Sequence, residues 1–304
     1  MIRILIILLL FTSNTIFAQT FKDYIDKAIK NQSSQRYDEA LFFYKKALNL
    51  DTENNIVMER IARIYYAVNQ MDSAIYFYSK AILINDTSLD ARYNRGHCYL
   101  AKEQYKLALN DFVESAKISP KNPDVIYNIG LCYLNLKAYQ KSIDFFTKAL
   151  SLQSNDKYSY LQMGIVYNSL NNYKKALKNF SKAIKIDPKY SEAYLYRALL
   201  YSRDLKQNTK AHSDFEKCKE IKPDYFLAYY YNAIVYKQEE KYFEAKDELD
   251  AVLKIYPKSS YAYFERAVIW YKIGILNMVC KDLDKAIEYG YPKEAQEMKD
   301  KLCK

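Results

Sequence analysis

The chain has 304 residues, half apolar and 27% charged, with 33 Tyr and 14 Phe against 5 Gly, 6 Pro and 2 His. That apolar stock excludes wholesale disorder, and so few Gly and Pro exclude the many tight turns of an all-β fold and a glycine-rich phosphate loop. The formal net charge is +10: from Gln19 to Asp156 there are 18 basic residues against 16 acidic, after Asp156 there are 27 against 20, and no run of five lysines occurs, so the C-terminal half is the basic one.

At the N-terminus, Met1-Ile2-Arg3 is followed by eight unbroken apolar residues, Ile4 to Phe11. A polar-flecked stretch then ends at Ala18, a small residue suited to cleavage before Gln19. This is the three-part pattern of a secretory signal, so residues 1–18 are expected to be removed. An uncleaved N-terminal anchor is the alternative. An apolar run of this length is far short of the roughly 20 residues that span a bilayer. The first cysteine is Cys98, so no lipid-bearing cysteine follows the signal. The mature chain is expected to be exported, periplasmic or extracellular, soluble, and without a membrane span or lipid anchor.

From there on one pattern repeats. A small residue recurs at Ala40, Ala74, Ala108, Ser142, Ala176, Ala211, Ala245 and Val279, spaced by 34 residues except for a single step of 35. Four residues on stands a large apolar residue (Tyr44, Tyr78, Phe112, Phe146, Phe180, Phe215, Leu249, Leu283), and three further on a small one again. Another small place holds Ala28, Ala62, Gly96, Gly130, Gly164, Ala198, Ala233 and Ala267. Glycine inside a helix is tolerable there if two helix backbones approach closely. Pro120, Pro188, Pro223 and Pro257 share one closing turn, and Pro123 suits a first helical position. The extra residue is expected in the turn between Tyr201 and Ala211. Each unit reads as two helices too short to be stable alone, so the array holds only as a stack.

These residues resemble the tetratricopeptide repeat. The fifth repeat, with Tyr160, Met163, Gly164, Tyr167, Ala176, Phe180, Ala183 and Pro188, is a nearly full match. The resemblance implies an all-α fold, a right-handed superhelical solenoid of about eight helix-turn-helix repeats. Their expected bounds are 21–54, 55–88, 89–122, 123–156, 157–190, 191–225, 226–259 and 260–293, in a single domain from 19 to 304 with a capping helix over 293–304. It also implies that the first helices line a concave groove that holds a partner. Carried over by position, that groove is expected to present Arg60, Arg63, Tyr93, Asn94, His97, Tyr127, Asn128, Leu131, Leu161, Ile165, Tyr196, Tyr230, Tyr231 and Phe264. Tyrosine gives large contact area with few rotamers to freeze, and the amides of Asn94 and Asn128 suit an extended main chain. The carboxylate clamp of the chaperone-binding members is not expected, because Glu59, Asp124 and Asn128 stand where its charges and amides would need to differ.

Cys98, Cys132 and Cys218 occupy small packing places. Cys280 and Cys303 are a better candidate pair, since the final helix can fold back, and five cysteines leave at least one unpaired. His97 beside Cys98 makes no metal site, because adjacent helical residues point different ways. No nucleophile elbow, zinc-protease motif or paired C-x-x-C occurs. The reading is therefore a non-catalytic interaction scaffold of the bacterial cell envelope. It needs no cofactor, metal or small-molecule substrate, and its partner is a peptide or helix of another exported protein. Nucleic acid is disfavoured and a homo-oligomer stays open. The alternative is a polyanion binder, for acidic glycan or nucleic acid, using the basic C-terminal half.

Overall fold

In a computed structural model, the backbone is described for residues 2–303 and the side chains from Phe17 onward, save those of residues 292 and 304. The side chains of 1–16, on which the signal reading rests, lie outside the described residues. Among the described residues there are seventeen helices, no strand, and no helix long and apolar enough to cross a membrane.

The chain divides into two compact units, residues 2–154 and 155–303. The first holds α1 (Ile2–Ser33), α2 (Tyr37–Leu50), α3 (Asn55–Ala67), α4 (Met71–Ile84), α5 (Leu89–Ala101), α6 (Tyr105–Ile118), α7 (Pro123–Asn135) and α8 (Tyr139–Leu152). The second holds α9 (Lys157–Ser169), α10 (Tyr173–Ile186), α11 (Ser191–Arg203), α12 (Asn208–Ile221), α13 (Phe226–Gln238), α14 (Tyr242–Ile255), α15 (Ser260–Lys272), α16 (Leu276–Glu288) and α17 (Pro292–Leu302).

Each odd helix up to α15 packs against the even one that follows, and within each unit every even helix then packs on the next odd one. Five first helices start under side-chain caps: Asn54, Ser88, Asn122, Asp156 and Ser259 each accept from a backbone N–H of α3, α5, α7, α9 and α15, whereas α11 and α13 have none. In every helix pair the turn contains one residue with φ between +54° and +83°, at Gln35, Asn69, Glu103, Lys137, Asn171, Lys206, Glu240 and Gly274. The extra residue lies between α11 and α12, whose turn runs over 204–207.

The core is a row of rings and small residues. Tyr44, Tyr78, Phe112, Phe146, Phe180 and Phe215 are fully buried, as are Leu249 and Leu283 in the same place. Glycine stands at 96, 130 and 164 because of these rings rather than because two backbones meet. A Cβ there would lie 2.8, 2.8 and 2.4 Å from Phe112, Phe146 and Phe180.

Polar ties cross the apolar stack. In unit 1, Arg95 on α5 donates twice to Asp111 on α6 (2.8 and 2.7 Å) and once to Ser79 on α4 (2.9 Å). In unit 2, Arg197 binds Asp214 (both 2.7 Å) and Ser181 (3.0 Å), and Arg266 binds Asp282 (2.8 and 2.7 Å) and Asp250 (2.6 Å). On α13 the same place holds Asn232, whose amide donates to Glu248 (2.9 Å) and Glu216 (3.3 Å), while Lys219 donates to both carboxylates at 2.6 Å.

The far end of unit 2 is closed by α17. Ala295 is fully buried against Val279, Leu283 and Ala286, and a disulfide joins Cys280 to Cys303 with Cα atoms 5.8 Å apart. Cys98, Cys132 and Cys218 are buried free thiols. Burial pushes them up to about 11, 12 and 12, which leaves them unreactive packing residues.

Candidate interaction faces

In unit 1, α3 and α5 touch directly. Arg60 is half-buried, and exposed Arg63 pairs with Asp90 one repeat on (2.8 Å). Tyr93, His97 and Asn128 form one polar cluster. Asn128 donates to the Tyr93 hydroxyl (3.1 Å) and to the Asp124 carbonyl (2.9 Å), and lies 3.4 Å from His97 Nε2. An amide nitrogen facing Nε2 makes that ring atom the acceptor, and burial holds the imidazole below its usual range despite Asp124. His97 is therefore a neutral acceptor packed edge-on against Tyr93 and Phe112.

This alters the role expected for the two asparagines. Asn128 is only 4% exposed, and its amide hydrogens serve its own helix and α5. Asn94 donates to the Asp90 carbonyl of its own turn (2.7 Å). The Asn128 nitrogen is thus engaged within the protein, whereas the half-buried Asn94 amide has one hydrogen on its own helix and keeps a second donor. Tyr127 packs its ring 5.5 Å from Phe146, and Leu131 is half-buried.

In unit 2, α9, α11 and α13 touch in succession. Leu161 is 4% exposed and packed in the core around Phe180, with Ile165 beside it. It is a core residue, because its position on α9 points between the two helices of its repeat. Tyr196 is exposed and stacks on Phe180 at 6.2 Å.

The structure gathers the remaining aromatics better. Tyr230, Tyr231 and Ile234 line a depression of about 560 Å³ together with Leu227, Arg203, Lys237, Tyr261 and Glu265. Tyr230 and Tyr231 meet edge to face at 5.5 Å, and the Arg203 guanidinium lies 5.0 Å over the Tyr231 ring. Lys237 pairs with Glu265 across α13 and α15. Burial, then the Glu265 charge, pushes the Tyr230 phenol well above its usual value, so it stays a neutral donor. Phe264 packs on Tyr291 (4.7 Å), whose ring also meets Tyr261 (5.0 Å).

Sequence reasoning named Tyr230 and Tyr231 and missed Arg203, Lys237 and Tyr261. The signal was available: Lys237 and Tyr261 lie three residues from Ile234 and Phe264, and Arg203 lies seven, two turns, from Tyr196, hence on the same faces. The buried ties made by Arg95, Arg197 and Arg266 were also missed. Their signal is an Asp on the facing helix at the same repeat position each time, Asp111, Asp214 and Asp282.

Paired helices of near-constant length, stacked through small residues and aromatic rings, define a helical-repeat protein whose first helices lie side by side within each unit. Sequence comparison names the class. Residues 123–156 and 158–190 match the Tetratricopeptide repeat, and 179–213 match a second description of the same name. Residues 33–115 match the description Anaphase-promoting complex, cyclosome, subunit 3. The chain belongs to the tetratricopeptide-repeat family. No curated protein sequence matches it significantly. Its fold is similar to a tetratricopeptide repeat protein from Parabacteroides merdae, at 20% identity and a TM-score of 0.63 over 94% of this chain and 100% of that one. It is also similar to a MamA protein (23% identity, TM-score 0.54, 58% of this chain and 96% of that one). MamA from Desulfovibrio magneticus is a further likeness (19%, 0.54, 56% and 97%).

Proposed function

We propose that the chain is a non-catalytic protein-interaction scaffold of the bacterial cell envelope. It holds an extended segment or a helix of another exported protein on the first-helix face of unit 2. The observation that carries this reading is the depression lined by Tyr230, Tyr231 and Ile234 with Arg203, Lys237 and Glu265 at its edge. Its tyrosines combine stiff apolar area with hydroxyls for a peptide backbone, and its rim charges select orientation. On unit 1, Arg60, Arg63 and the Tyr93–His97–Asn128 cluster are the second candidate face, more polar and less open.

Export rests on the signal pattern before Gln19. The Cys280–Cys303 disulfide supports it, because such bonds persist in oxidising compartments. The proposal uses no cofactor, metal or small-molecule substrate.

The test is cross-linking capture from the native envelope with the mature protein and a Tyr230→Ala/Tyr231→Ala variant side by side. The same partner is expected with the first and lost with the second, at unchanged helicity. Equal capture by both would move the site off this face.

A further inference from the structure

Helix α10 carries Lys174, Lys175, Lys178, Lys182 and Lys185 and no acidic residue. No other helix of unit 2 exceeds a net charge of +1, so the basic excess of the C-terminal half sits largely on this one. All five lysines are exposed. Among the described residues none of them forms an ion pair, whereas Lys157, Lys217, Lys219 and Lys285 of the same unit all do. Lysines three and four apart on one helix repel each other, and no carboxylate is paired with them among the described residues.

Beside them the surface sinks between α9 and α10 into a depression of about 660 Å³. Met163 and Asn179 are buried at its floor. Tyr160 and Tyr167 form its wall, with Lys182 at 5.8 Å and Lys175 at 5.1 Å over their rings. The depression thus joins a mainly apolar surface, Met163 and the Tyr160 and Tyr167 rings with the Asn179 amide beside them, to a row of four lysines.

We propose that this face binds an acidic polypeptide segment, its Asp or Glu carboxylates along Lys175, Lys178, Lys182 and Lys185 and one apolar or aromatic side chain in the depression. The basic set is all lysine, point charges without the planar fork that grips phosphate in two places. The row covers about 15 Å of helix, the reach of two turns of an acidic helix or a few extended residues. The floor takes an apolar side chain, which a glycan lacks, and its concavity does not match a flat lipid surface. This site lies on α9 and α10, apart from the tyrosine face of α13 and α15, and stands whether or not that face is used.

The experiment uses the full mature chain and a labelled 15-residue Glu-rich peptide with one central Phe, with oligoglutamate, heparin, single-stranded DNA and phosphatidylglycerol vesicles as competing probes. Binding of the Phe peptide is expected to weaken as salt rises, because exposed charges are screened. The Lys175→Gln/Lys178→Gln/Lys182→Gln/Lys185→Gln variant should keep its helicity and lose about 30-fold, four exposed pairs at roughly half a kcal/mol each. Oligoglutamate should bind more weakly than the Phe peptide, and Tyr230→Ala/Tyr231→Ala should bind the peptide as the parent does. No binding by the parent, or equal binding by the lysine variant, overturns the proposal. Tighter binding of heparin, DNA or vesicles than of the peptide overturns the choice of a polypeptide.

Discussion

At Gly164 a Cβ would lie 2.4 Å from the Phe180 ring, a distance that demands movement of a fully packed side chain. Where the facing residue is Leu249 or Leu283, alanine stands in the same place, as Ala233 and Ala267. Alanine also stands there in the repeats of Tyr44, Tyr78 and Phe215, as Ala28, Ala62 and Ala198, so a buried ring alone does not dictate glycine. Gly164→Ala gains about 1 kcal/mol of helix propensity but overpacks the core, which typically costs about 1–3 kcal/mol. A net loss of stability is expected in urea unfolding, partly restored by adding Phe180→Leu. A variant as stable as the parent would show that the ring yields freely. Glu239 carries a pH dependence. Burial acts to raise its carboxyl, but hydrogen bonds from Lys241, Asn208 and His212 outweigh it and hold the group at about 2 against an ordinary 4.5. A depressed acid contributes stability that is present above the unfolded value and lost as pH falls through the folded one. Between pH 4.5 and 2 the melting temperature should therefore fall more steeply for the parent than for Glu239→Gln. Parallel curves would remove Glu239 from the acid limb.

Between helices, the arginine ties join three elements at a time: Arg197 on α11 reaches Asp214 on α12 and Ser181 on α10. Asp214 has 8% of its side chain exposed and Arg197 19%, so removing the carboxylate leaves a mostly buried cation unpaired. Asp214→Ala should destabilise by about 3 kcal/mol, while Arg197→Met with Asp214→Leu should recover most of that, because an apolar pair of similar volume carries no desolvation penalty. Equal loss in both would mean that packing volume, not charge, sets the effect. The turns teach the complementary point. Seven of the eight hold a non-glycine residue at positive φ, and Gln35, Glu103, Lys137, Lys206 and Glu240 are types that do not announce it. The left-handed position is imposed by helices that must reverse within a few residues, and only Gly274, Asn69 and Asn171 are residues that favour it.

For the whole chain, the disulfide and α17 act together at one end. Cys280 and Cys303 are 23 residues apart, and closing a loop of that order removes about 3 kcal/mol of unfolded-state entropy. Cys280→Ser/Cys303→Ser should lower the melting temperature and expose α17 to proteolysis under conditions that leave the parent intact. Unchanged resistance would mean that the apolar contacts of Ala295, Met298 and Leu302 suffice.

Much of this architecture was legible in the chain itself, because a 34-residue period in small and aromatic residues is local information repeated eight times, and each repeat corrects the reading of the others. Helix pairing, the place of the extra residue and the packing cysteines follow from it. What each exposed residue touches does not, since contacts between repeats join residues far apart in sequence. Only the tertiary structure turned Asn128 inward to Tyr93, buried Leu161 and sent Phe264 to Tyr291, whereas the Cys280–Cys303 pair was already the candidate the sequence offered. It alone gathered Arg203, Lys237 and Tyr261 around Tyr230. Periodicity states which face a side chain occupies, and the neighbouring repeat decides whether that face is open.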